Sequence, residues 1–543
     1  MSQKTTTAQG MNRAKLYQLV LFPMNNGATN VYYILTLNFI AYYANGVLGL
    51  LLMFATTMVT VMRLFDAVTD PIIGALIDRT STKFGKFRPF MVLGNVIMIV
   101  SSICLYFGTR LISGEMSWLR YVCFVLFYAL YVIGYTFQTA CTRSGQTCLT
   151  NDPKQRPLFT IFNTVASLIG MGLVQFLAPI LSKRLGGYNS AEFFNVMIPL
   201  AIVVSALLTL LAVVGIWEKD RPEYFGVSKT QEKVEVKEYL AILKANKELQ
   251  RLMIAGAGCK LAFSIATNMT VLCMLYGAMM ENYDGLYLPM MIVGYVFSVP
   301  FFLLTVRTSQ KHGQKASLVR YTAIALVMYI GVLVLLVLWK QGNPAWNLSL
   351  GPVNLYTVLF VIFFGVGYGA YYSTADMPIP MVADCSDYET FRSGRYIPGI
   401  MGTLFSLVDK LVSSLGSTVV GAAVAMIGIH TLPDGNTPYS DGMHGVVIVL
   451  FCIVPMIAWI MTLIAMKGYS LTGSRMKEIQ AVNAVRKDAI NRVCHWRMQC
   501  KHGKRWIRCR RNSDSHKYSE RRKNTIQKGK NYEREEQEKR IKV

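Results

Sequence analysis

The sequence is short of charge. Only 16% of its 543 residues are Asp, Glu, Lys or Arg, and 30 acidic residues stand against 55 basic ones. A soluble domain carries about a quarter charged residues. This deficit, with 53% hydrophobic residues and a mean hydropathy of +0.36, excludes a soluble globular protein and fits a polytopic membrane protein. Histidine is scarce, with six in the chain. The eleven cysteines are scattered, several inside apolar runs, as at Cys104, Cys123 and Cys452. No spacing suggests a disulfide framework, so they read as small hydrophobes. The first fifteen residues lack an apolar core, so no cleavable signal peptide is expected, and the first spanning helix would direct insertion. No phosphate loop, nucleophile–base set or convincing metal cluster is present, and an enzyme is not expected.

Apolar segments of spanning length do recur. They are expected at 16–44, 47–76, 89–110, 118–148, 157–182, 193–216, 251–280, 287–308, 317–340, 353–382, 396–428 and 443–467. Twelve such helices place both termini on one side. Basic residues mark that side: Arg79, Lys83, Lys86 and Arg88 follow the second span, and Arg307, Lys311 and Lys315 follow the eighth. The alternate loops ENYDG, QGNPAWNLSLGP and HTLPDGNTPYSDG carry no Lys or Arg. The positive-inside rule puts both termini in the cytoplasm of a multi-pass plasma-membrane protein. Lys183 and Arg184 in SKRLGG break that pattern. The chain divides into a six-helix bundle over 1–216, a cytoplasmic linker over 217–250, a second bundle over 251–467 and a basic, disordered tail over 468–543. Basic glycine-containing turns after spans two and eight echo one another, as in transporters with a site between two repeats.

The densest signal is RLFDAVTDP in the second span. Arg63, Asp66 and Asp70 fall at i, i+3 and i+7 and share one helix face. A charge at mid-bilayer costs about 2.5–3.5 kcal/mol even on lenient scales, so these groups must face a bundle interior or wet cavity. Two carboxylates one turn apart supply oxygens for a small cation, or a proton site. A single Arg–Asp pair would read as a salt bridge locking two helices. The second Asp, followed by Pro71 and a basic loop, shifts the weight to an ion-coupled site.

Other polar groups sit on apolar helices. Asn26 and Asn30 in the first span are either interhelical glue or substrate hydrogen-bonders. Tyr135, Thr139 and Arg143 line one face of the fourth span. Arg143 should face the cavity, pairing with Asp66 or Asp70 or binding an anionic or polyhydroxylated substrate. Ser406 and Lys410 share a face of the eleventh span, where Lys410 would balance the two Asp residues; Asp409 has no evident role. In MPIPMVADCSDYETFRSGRY, Pro378 and Pro380 should end the tenth span. Asp384, Asp387, Glu389, Arg392 and Arg395 then form a charged loop. Asp384, Asp387 and Arg395, with Arg88 from the first half, are expected to build a cytoplasmic gate of salt bridges that opens during transport.

R-x-x-D-x-x-x-D-P, then G-K-F-R-P, then A-D-x-x-D-Y and a lysine in the eleventh span resemble the glycoside–pentoside–hexuronide:cation symporters. That family includes melibiose permease and lies within the major facilitator superfamily. The resemblance covers residues 12–470. It implies an all-α fold of two six-helix bundles and uptake of a sugar coupled to Na⁺, Li⁺ or H⁺, with no other cofactor. It assigns Asp66 and Asp70 to the cation, Arg63 and Lys410 to coupling, and Tyr135 and Ser406 to the sugar cavity. Departures fall in the pocket. Asn30 and Thr139 stand where melibiose permease has sugar-binding Asp residues, Asn26 where many members have Asp, and Arg143 where it has Trp. The pocket has lost acceptors and gained a cation, which points to an acidic sugar with Arg143 as counter-charge.

From about residue 475 the chain is basic and polar, and suits anionic lipid headgroups. Cys494, His495, Cys500, His502 and Cys509 match no common zinc spacing. No nucleic-acid partner is expected; the partners are a sugar, a monovalent cation and the bilayer, and the protein is expected to be a monomer. Two other classes stay open: a lysolipid-type symporter of the same superfamily and a non-transporting membrane sensor.

Overall fold

The computed structural model describes residues 13–221 and 243–483, apart from 81, 151–154, 352, 394–397, 473, 474, 477 and 480. The spans among the described residues are all helical, as the apolar runs require. In hydrocarbon a backbone must satisfy its own hydrogen bonds. Spans α1 (16–47), α2 (Leu52–Arg79), α3 (Arg88–Tyr106), α4 (Ser117–Leu149), α5 (Gln155–Arg184) and α6 (Ala191–Ile216) make the first half. Spans α7 (247–279), α8 (Tyr283–His312), α9 (Gln314–Leu338), α10 (Leu355–Thr374), α11 (Pro398–Met426) and α12 (443–468) make the second. Nine spans are unbroken, and α12 carries one π-turn at Ile448–Ile453. α7 bends by 45° between Ala266 and Met269, and α1 is interrupted by π-turns at Leu35–Phe39 and Tyr43–Val47. Residues from 480 onward form a separate unit, of which the structure describes only 481–483.

Side-chain caps fix several span starts. Asn246 accepts from Leu249 N–H, Ser190 from Glu192 N–H and Asn354 from Thr357 N–H. The start of α3 is capped from a distance. Asp220, 1% exposed, accepts from the backbone N–H groups of Lys86, Phe87 and Arg88. Gly85 sits beside it with φ +106°, and any Cβ there would collide with the carboxylate. The GKFRP motif is therefore a turn built around a partner 130 residues away in sequence.

One expectation needs correction at this end of the molecule, where α1 begins. Residues Pro378–Ser393 form a helix, not a charged loop. A proline at a helix start loses nothing, because that N–H has no intrahelical partner. Among the described residues Arg88 is not paired across the halves. Arg88 lies 3.4 Å from Asp220 and stacks over Trp217, both of its own half. Glu389 is bound by Asn246 and Arg392 of its own half. Asp384 and Asp387 lie on the short helix, and Arg395 falls outside the described residues. The reason is the conformation: the halves part toward this end and meet at the other.

At the opposite end the α11–α12 loop wedges between the halves. Tyr42 donates to Pro433 O at 2.7 Å, Asn45 to His430 O at 3.1 Å and Asn189 to Leu432 O at 2.9 Å. Tyr188 and Tyr283 share a hydroxyl hydrogen bond of 2.8 Å across the halves. Lys183, anomalous by the charge rule, pairs with Asp284 of the second half at 3.2 Å.

Candidate functional site

The site begins on α2, whose helix runs through Pro71 without breaking. α2 packs along α11 through small residues. Thr60 donates to Ser414 O and contacts Thr418 at 2.9 Å, and a Cβ at Gly421 would collide with Thr56. This close approach lets a lysine on one helix reach carboxylates on the other. Lys410 Nζ lies 2.8 Å from Asp66 Oδ2 and 2.6 Å from Asp70 Oδ2. Asp66 is 1% exposed and also accepts from Thr136 Oγ1 of α4 at 2.8 Å. Arg63 stands 3.4 Å from Asp66 and lies over the rings of Tyr33 and Tyr135 at 4.4 and 5.6 Å. Arg143 reaches Asp70 at 3.6 Å but is 63% exposed. Five charges from three helices thus converge, three positive and two negative.

The central cavity, about 750 Å³, lies elsewhere. It is bounded by both halves and runs toward the N-terminal end. Its aromatic wall includes Tyr33, Tyr276, Tyr295, Tyr368 and Tyr372. Tyr295 donates to Gln175 Oε1 at 2.6 Å, joining α8 to α5. Its one basic lining residue among those described is Lys260 of α7, and its one acidic lining residue is Asp376, in the turn after α10. Lys260 Nζ lies 2.7 Å from Asp376 and 3.7 Å from Asp409. This second charge cluster gives Asp409 its role.

The residues expected to bind substrate do not line this cavity. Asn30 donates to Asn26 Oδ1 and Asn26 O, and Asn26 donates to Asn163 O of α5. Thr139 donates back to Tyr135 O and Thr136 O. Asn26 thus joins two helices, while Asn30 and Thr139 bond within their own. Arg143 pairs with Asp70, and Ser406 is half-buried one turn before Lys410. Tyr135 stacks on Tyr33 beside a small cleft that also contains Arg63 and Asp66. Sequence reasoning missed Lys260 and Asp376. The one available signal was a lone lysine in the apolar stretch GAGCKLAFSIA.

Residues 22–473 match the family model described as MFS/sugar transport protein. The chain is 25% identical to the putative glycoside/cation symporter YagG of Escherichia coli (strain K12), over 82% of this chain and 89% of that one. It is 23% identical to a glucuronide carrier protein homolog of the same organism, over 85% and 94%. It is 21% identical to the isoprimeverose transporter of Lactiplantibacillus pentosus, over 75% and 79%. Among solved structures it shares the fold of a D-xylose-proton symporter, with a TM-score of 0.54 at 16% identity over 83% of this chain and 96% of that one. With the twelve-span architecture, these likenesses make the chain a multi-pass membrane transporter, not an enzyme, and a member of the MFS/sugar transport family.

Proposed function

We propose that this transporter is a cation-coupled symporter of a neutral sugar or glycoside, working by alternating access in the plasma membrane with both termini in the cytoplasm. The observation that carries the coupling is the Lys410 ammonium held between Asp66 and Asp70. The carboxylates belong to one half and the lysine to the other. Na⁺ or H⁺ arriving at the carboxylates competes with the ammonium for the same oxygens, because the two carboxylates cannot serve both cations at full strength. Thr136 Oγ1 adds a neutral oxygen for a metal ion, while a proton needs only one carboxylate. Loss of the Lys410 contact loosens α11 from α2 and so biases the two packings of the halves. With cytoplasmic termini, the cavity faces inward and the α11–α12 loop closes the outside.

The neutral substrate rests on the cavity. Its lysine is already shared by two carboxylates, and Arg143, the expected counter-charge for an acidic sugar, is not on its wall. Tyrosine rings supply apolar faces with a polar edge, which suits sugar rings. The test is uptake of radiolabelled lactose, isoprimeverose and methyl glucuronide into membrane vesicles under imposed Na⁺ or H⁺ gradients. A neutral sugar should accumulate in the wild type and fall to the no-gradient level in Asp70→Asn. Accumulation of the glucuronide, lost in Arg143→Ala, would favour an acidic substrate. No uptake of any probe would favour a lysolipid carrier or a sensor.

A further inference from the structure

We infer that sugar recognition in this chain resides in the second half, where Lys260, Asp376 and Tyr276 read the substrate's hydroxyl groups. The inference rests on the transport reading above and names the residues that set its specificity.

Three observations carry it. Lys260 and Asp376 place a donor and an acceptor 2.7 Å apart on the wall of the cavity, and Asp376 is 68% exposed. A vicinal diol, which donates and accepts at neighbouring oxygens, can engage such a pair without any net charge. Lys260 is only 16% exposed and is steadied from behind by Asp409, so its ammonium is fixed before a sugar arrives. Second, Tyr276 lines the same cavity, is 2% exposed, and its hydroxyl has no hydrogen-bond partner among the described residues. A buried phenol without a partner is costly, and a substrate hydroxyl would supply one. Third, the first-half residues that the sequence put forward for the role are bonded elsewhere, and the first half brings only Asn38, Gln175 and the Tyr33 phenol as polar side chains to the wall. Asn26 donates to Asn163 O of α5, Asn30 to Asn26 O and Thr139 to Tyr135 O within their own helices, and all three lie off the cavity wall.

Asp409 also explains how recognition communicates with the cation site. It precedes Lys410 on α11, so one helix carries a carboxylate bound to Lys260 and an ammonium bound to Asp66 and Asp70. Asp409 is a positioning residue in this scheme, and α11 carries both contacts.

The test uses full-length protein reconstituted in liposomes, with radiolabelled lactose, isoprimeverose and methyl glucuronide as probes. Counterflow, which needs no gradient, reports sugar binding, and gradient-driven uptake reports coupling. Tyr276→Phe removes only the unpartnered hydroxyl, so it leaves the thermal transition in place or raises it. It should raise the half-saturation concentration in counterflow about threefold to tenfold, the worth of one neutral hydrogen bond. Lys260→Gln and Asp376→Asn should raise it about tenfold to a hundredfold, as for bonds to charged groups. Asn30→Ala and Thr139→Ala should leave it unchanged. Asp409→Asn should weaken gradient-driven uptake more than counterflow. Wild-type half-saturation in Tyr276→Phe and Asp376→Asn, with a loss in Asn30→Ala or Thr139→Ala, would return recognition to the first half and overturn the assignment. Absence of wild-type uptake of every probe would overturn the transport reading and this assignment with it.

Discussion

The two charge clusters differ in how they are assembled and in what surrounds them. The first hangs on one helix: Arg63, Asp66 and Asp70 follow each other along α2, and α11 and α4 bring Lys410 and Thr136 to them. Its central carboxylate, Asp66, is shut from solvent. The second is gathered from α7, the turn after α10 and α11, and its outer carboxylate, Asp376, opens to the cavity. The first carries a surplus of positive charge and the second a surplus of negative charge. Carboxylates shut from the cavity are left to small cations that compete for their oxygens, whereas a carboxylate that opens to the cavity can meet a larger ligand. The contrast fits the proposed roles, coupling at the first and recognition at the second.

Removing the lysine from each cluster tests the contrast most directly. Lys410→Ala leaves Asp66 charged, buried and short of its partner. It should destabilise the protein by about 3–5 kcal/mol, the cost of breaking a buried pair, seen as a lower thermal transition in detergent. Thr136→Val removes one hydrogen bond to the same carboxylate. A loss of about 1.5–3 kcal/mol is expected for a bond to a charged group, read in the same assay. Lys260→Ala should cost about 1 kcal/mol or less, since water reaches Asp376. Equal losses in the two lysine variants would erase the distinction.

The first cluster was legible in the sequence because its spacing is local. Arg63, Asp66 and Asp70 declare a common face through helical periodicity alone. Lys410 was legible by charge balance, since a lysine in an apolar span needs a carboxylate. The twelve spans followed from hydropathy, because a bilayer admits few alternatives. The second cluster was not legible. Lys260, Asp376 and Asp409 are separated by more than a hundred residues and by one helix, and nothing local joins them. Asn26 and Asn30 left two readings open in the sequence, interhelical glue and substrate hydrogen-bonding. An Asn on a helix face can bond to its own chain and to the neighbouring helix, and between them these do both. Arg88 showed in the sequence only its charge, which cannot choose between Asp220 nearby and an acidic helix across the molecule; in this conformation it pairs with Asp220.

The loop between α11 and α12 closes its end of the molecule mainly with main-chain oxygens. His430, Leu432 and Pro433 each offer a carbonyl to a side chain of the first half. The closure therefore reads mainly the path of the chain, with Asp434, 3.3 Å from Asn189, as a side-chain contact across it. The loop's outward surface can diverge freely while the plug keeps its shape. When the halves exchange positions, each released carbonyl turns to water and finds an equivalent partner there. The closure is thus a seat that can be left and retaken many times, suited to a protein whose work is cyclic.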